Sequence, residues 1–199
     1  MEQHAPATYA AIRPPDAIAT QAALDAIGTW WGPELDEWFS LHAGATHMSA
    51  LALPNYSVSS PADLATNWSE LVEVWTTDPS EAGSIADRRA EEAGTPAGVF
   101  LPEFVPFANE HTGYYLFVDT RPGPQQWCIT EFAHSEADET DIGWASLEEL
   151  LAGTADALEA NRPLGSYYAR TTQRGEFAGE MEWGLVGHEE EEEEEEVED

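Results

Sequence analysis

Tyr114-Tyr115-Leu116-Phe117-Val118-Asp119-Thr120-Arg121-Pro122-Gly123-Pro124-Gln125-Gln126-Trp127-Cys128-Ile129-Thr130-Glu131-Phe132 decides the architecture. Both ends of this stretch are dense in aromatic and β-branched residues, the composition of half-buried strands. Between them Arg121-Pro122-Gly123-Pro124 is turn chemistry: the prolines preset φ and remove donors, and Gly123 can take a positive φ. The two runs should pair as an antiparallel hairpin. Upstream, Phe104-Val105-Pro106-Phe107 reads as a third strand.

Working outward, the period changes from strand to helix on both sides. Ser146-Leu147-Glu148-Glu149 fits a capping box, with Leu147, Leu150, Leu151 and Leu158 marking the buried face of a helix that ends near Asn161-Arg162-Pro163. Ser166 to Thr172, a Gln173-Arg174-Gly175 turn and Met181-Glu182-Trp183 read as a closing hairpin. On the N-terminal side, Ser60-Pro61-Ala62-Asp63 opens a helix with Leu64, Trp68, Leu71, Val72 and Trp75 at helical spacing. Gly32 to Gly44 carries Pro33 in its first turn and places Leu35, Trp38, Phe39 and His42 on one face, with Gly44 as the stop signal. Asp16 to Gly28 and Pro6 to Ile12 read as two further helices, and Ile85 to Glu92 as a short one in a polar loop. Leu51 to Val58 is an extended segment that Pro54 confines to a sheet edge. No internal repeat is evident.

Hydrophobic residues make up 42% of the 199 and aromatics 11%, enough to bury a core and to exclude disorder throughout. Against 39 Asp and Glu stand seven basic residues, all arginine, for a net charge of −32. Such a field repels nucleic acid and anionic lipid alike, so a partner, where there is one, is basic. Ten of the acids lie in the terminal run from Glu189 to Asp199, yet most of the charge remains without them. That run repels itself and has too little apolar area to fold; it is expected to be a disordered poly-Glu tail at 189–199 following one domain over 1–188. Its expected roles are solubility and faster encounter with a basic partner. One cysteine, Cys128, forms no internal disulfide, and the N-terminus lacks a signal-peptide pattern, so a cytoplasmic, monomeric protein is expected, with no membrane segment.

These pieces in this order resemble the SUKH superfamily, of the Smi/Knr type. The resemblance rests on the helix with Leu35, Trp38 and Phe39 ending at Gly44, on Phe104-Val105-Pro106-Phe107-Ala108-Asn109, on Tyr115-Leu116-Phe117-Val118-Asp119, and on Arg121-Pro122-Gly123-Pro124 with the Cys128 strand. It spans roughly Ala17 to Trp183. It implies an α+β fold, helices packed on a mostly antiparallel central sheet, in agreement with the signals above. It also implies either an immunity-like protein that binds and neutralises a toxin, or an adaptor in cell-wall assembly or morphogenesis. Where relatives carry a Gly- and Asp-rich turn, this chain has Asn109-Glu110-His111-Thr112-Gly113, so no ligand role is carried over to that turn.

Catalytic signatures are few. There is no Gly-x-Ser-x-Gly elbow, and Cys128 sits between Trp127 and Ile129 as a small core hydrophobe. His42 and His47 straddle Gly44, and His134 precedes Glu136, Asp138 and Asp141 in an acidic loop; neither spacing matches a zinc helix or a calcium loop. No cofactor, metal or catalytic residue is therefore expected. For a partner-contact patch the candidates are Trp30, Trp31 and Trp144, which lie by glycines at element boundaries, together with Asp119, Glu131, Asp138 and Asp141. Each has a plainer alternative. The tryptophans can close the core beneath a loop, Asp119 can make the turn, Glu131 can be an exposed residue on an alternating strand, and the loop acids can be merely solvated.

Overall fold

The computed structural model describes residues 3–12, 14–47, 50–77, 82–110, 112–134, 138–139, 143–173, 175 and 178–187. The chain is α+β. Its helices are α1 (Pro6–Ala11), α2 (Ala17–Ile27), α3 (Pro33–Leu41), α4 (Pro61–Thr76), α5 (Ala82–Arg89) and α6 (Leu147–Ala160). Its strands are β1 (Ser57–Val58), β2 (Phe104–Asn109), β3 (Tyr114–Asp119), β4 (Ile129–Ala133), β5 (Asp138–Glu139), β6 (Tyr167–Thr171) and β7 (Met181–Leu185). The first five form an antiparallel meander in chain order, and β6 pairs with β7 separately.

The hairpin signal is borne out by β3 and β4, where Leu116 faces Glu131 and Phe117 faces Thr130. Gly123 takes φ 143° in their connection. Trp127 departs from the strand expectation: its φ is 78°, unusual for a bulky residue, and β4 starts only at Ile129. Pro106 lies inside β2, paired with Phe117 of β3 but beyond the reach of the short β1, which pairs only with Ala108 and Asn109, and the register slips between Pro106 and Ala108. The Pro54 segment contributes β1, a two-residue edge strand.

The helix signals held in most places. Asp16 accepts from the amides of Ile18 and Ala19, and Gly28 closes α2 in the left-handed region. Ser60 caps α4. Ser146 caps α6 through the Glu149 amide, and the Glu149 carboxylate reaches back to the Ala145 amide, one residue beyond the usual capping-box target. Gly44 is not the stop of α3, which ends at Leu41 with His42 as its C-cap. It is instead a close approach: at φ 83° an added Cβ would lie 2.4 Å from the Ser59 carbonyl oxygen.

Alternation gives the meander two apolar faces. Val105, Leu116, Val118 and Ile129 pack under α2, α3 and α6 against Ile27, Trp31, Leu35, Phe39, Leu147 and Leu150. Phe104, Phe117 and Phe132 pack on the other face with Phe100, Leu101, Ile85 and Leu71. α4 runs past both clusters, giving Leu64 to the first and Leu71 to the second. The β6–β7 hairpin is joined to the N-terminal end: the Met181 amide donates to Thr8 Oγ1 at 2.7 Å, and Ala7 to the Gly179 carbonyl at 3.0 Å. Residues 189–199, read above as a disordered tail, lie outside the described residues. Among the described residues no helix is long and apolar enough to cross a membrane.

Candidate partner-binding surface

The seven expected contact residues do not assemble into one patch. Trp31 is wholly buried in the main core, packed 5.0 Å from Phe39. Its indole N–H donates to Asp36 Oδ1 at 2.7 Å, so it is a core residue and not a contact. Asp119 is likewise removed from the surface. At 1% exposure it accepts from Arg121 Nε and Nη2 and from the amides of Gly94 and Arg121. The turn-making alternative was the right one for Asp119, and its partner Arg121 was not foreseen.

Glu131 is not an exposed strand residue either. It shares the core-facing side of β4 with Ile129, half-buried, and accepts a hydrogen bond from the Tyr56 hydroxyl. Burial and that bond push the Tyr56 pKa up, so the phenol stays protonated and the carboxylate stays held. Trp144 is half-buried and bridges to Ile129 beside β4. Asp138 lies on β5 opposite Ala133, and Asp141 is outside the described residues.

Trp30 alone among the tryptophan candidates is truly exposed, at 53%. Asp36, in the first turn of α3, holds it by accepting from its indole N–H at 3.0 Å, so one carboxylate positions both neighbouring indoles. The positive φ of Trp127 turns that ring onto Gly32, where an added Cβ would meet the indole at 2.7 Å. There it meets Trp30 edge to face, with centroids 5.3 Å apart. Sequence periodicity placed Trp127 within a strand; its half-buried position against Trp30 rests on a backbone outlier that no local pattern announces.

Apart from this pair, α3 and α6 wall a groove of about 630 Å3. Trp38, Leu41, Leu147 and Leu151 supply its apolar lining, and Glu34, Glu37 and Glu148 its acidic groups. Glu34 also accepts the Glu148 amide at 3.1 Å, which ties the start of α6 to α3. Trp38 packs on His42, and its indole N–H is buried without an acceptor. Such an orphan donor costs about 1–3 kcal/mol unless something supplies an oxygen. Burial lowers the His42 pKa, keeping the imidazole neutral near pH 7. None of the three carboxylates is ion-paired among the described residues.

A second cavity, about 520 Å3, lies between β1 and the start of α4. Its polar groups largely satisfy one another, with Ser60 donating to Asp63 at 2.6 Å and Asn109 to Ser59 at 3.0 Å. Among the described residues no three His, Cys, Asp or Glu side chains come together as a metal-binding group. Cys128 is wholly buried, and burial, followed by the nearby Asp119, pushes its thiol up to about 11. Native protein is therefore expected to leave a colorimetric disulfide reagent unreacted at about pH 8 and to release one equivalent on unfolding in urea. Reaction at the native stage would show that the β3–β4 connection opens.

No protein-family model matches the chain, and no curated protein matches it.

Proposed function

We propose that this chain is a non-enzymatic binding module of the immunity type: a cytoplasmic monomer that binds a basic, nuclease-type toxin domain and neutralises it by covering its active face. The observation that carries the reading is the α3–α6 surface. There an apolar groove is rimmed by carboxylates that have no ion pair among the described residues, on a chain of net charge −32, and elsewhere the exposed Trp30 packs edge to face on the half-buried Trp127. Acidic surfaces of this kind steer a basic protein into encounter, and aromatic anchors provide the short-range affinity. The resemblance to the SUKH superfamily supports the same reading.

The test is capture on immobilised protein from the lysate of the producing cell at low salt, followed by a rising salt gradient. The expected result is one basic protein, eluting as the salt rises, whose on-rate falls at least tenfold between low and near-physiological ionic strength. Recovery of wall-synthesis proteins in its place would overturn the antagonist reading in favour of an adaptor. Binding indifferent to salt would overturn the steering mechanism.

A further inference from the structure

We propose that the groove between α3 and α6 seats a single amphipathic helix of the basic partner, its apolar stripe on Trp38, Leu41 and Leu151 and its cationic flanks against Glu34, Glu37 and Glu148. The inference rests on the reading of a basic protein partner and adds where that partner docks and in what form.

Spacing is the first argument. The α3 wall is Glu34, Glu37, Trp38 and Leu41, positions i, i+3, i+4 and i+7, one continuous helical face about 10 Å long, with the extended C-cap residue His42 at its end. The α6 wall is Leu147, Glu148, Leu151 and Ala152, so the trough lies between two helices that touch at Glu34 and Glu148. A helix laid in such a trough completes a three-helix packing and presents side chains at matching intervals. An extended peptide finds no such match, because the nearest main chain is helical and its backbone groups are already used within α3 and α6.

Charge selects the occupant. Acids stand on both walls, and the described arginines lie on or near other elements: Arg88 and Arg89 on α5, Arg121 in the β3–β4 connection, Arg162 after α6 and Arg170 on β6. The chain's own segment 189–199 is as acidic as the rim and is repelled from it, and a second copy brings another −32 charges. A cationic helix has neither objection. Leu41, 58% exposed despite its place between Trp38 and His42, offers the apolar contact.

The probe is a labelled synthetic peptide of about 18 residues with leucine at i, i+3, i+4 and i+7 spacing and lysine elsewhere. Its control is a scrambled peptide of equal composition without the stripe. Against the full chain at near-physiological salt, fluorescence anisotropy should show the striped peptide binding at least tenfold more tightly. The Trp38 indole N–H resonance should shift with that peptide only. Leu41→Lys should abolish the preference, and Glu37→Lys, also at an exposed position, should weaken it several-fold. Both variants should keep the wild-type melting curve, and the second keeps the test valid if the first fails to fold.

Equal binding of the two peptides, or a preference that survives Leu41→Lys, would overturn the groove as the seat. The two readings fail separately. Undiminished capture of the basic partner by Leu41→Lys refutes the groove and leaves the antagonist reading standing. A striped-peptide preference without any basic partner from the lysate supports the groove and counts against the antagonist.

Discussion

Replacing Arg121 by methionine is expected to lower the stability of the protein by about 3–5 kcal/mol, the usual consequence of leaving half of a buried ion pair behind. The side chain is 1% exposed. Its Nη2 meets Asp119 Oδ2 at 2.7 Å and the Thr95 carbonyl at 2.6 Å, Nη1 meets the Arg88 carbonyl at 3.0 Å, and the guanidinium lies 5.0 Å from the Phe104 ring centroid. One residue thus joins the β3–β4 connection to the end of α5 and the loop after it. Methionine fills much of the volume but satisfies none of these oxygens, and Asp119 becomes an uncompensated buried charge. Adding Asp119→Asn to Arg121→Met should restore part of the loss, because it removes the uncompensated buried charge and its one amide oxygen can still accept from either the Gly94 or the Arg121 amide, which donate to different oxygens of Asp119. Urea midpoints at constant slope measure both steps. A loss below about 1 kcal/mol would mean that the pair is hydrated and exposed.

Trp31→Ala is expected to cost a similar amount, about 3–5 kcal/mol, because it empties a large site in the main core and strands one oxygen of Asp36. Trp30→Ala, one residue earlier, should change stability by no more than about 1 kcal/mol. On the proposed reading it should nevertheless weaken binding of the captured partner by roughly tenfold, since it removes the exposed indole that Trp127 supports. The pair of variants separates core from contact in two adjacent, chemically identical residues. Equal stability losses for both would place Trp30 in the core and contradict the surface assigned to it.

That contrast also shows where sequence reading stops. The hairpin, the Ser60 and Ser146 caps, the edge placement of the Pro54 segment and the buried Cys128 are local matters, decided by turn chemistry, side-chain-to-amide bonds and alternation, and all were legible. Trp30 and Trp31 have the same chemistry, and their fates diverge only because Asp36 and the sheet beneath fix which ring turns inward. Asp119 reads as a surface acid until Arg121 folds over it, and Arg121 is held by carbonyls 33 and 26 residues away. Glu131 looked exposed because the Tyr56 hydroxyl that holds it comes from 75 residues earlier. The groove was illegible for the same reason. Leu35, Trp38, Phe39 and His42 do share a face of α3, but that Leu35 and Phe39 point into the core while Trp38 and His42 line a trough depends on α6, whose contact with Glu34 spans 114 residues.

The central claim is that the protein works by occluding a basic enzyme, and one titration addresses it most directly. The captured basic partner is mixed with increasing amounts of the full chain, and its cleavage of a generic nucleic-acid substrate is followed at near-physiological salt. The account predicts that activity falls to baseline near one equivalent and that Trp30→Ala shifts this end point to higher ratios. A complex that forms but leaves cleavage at its full rate would contradict it.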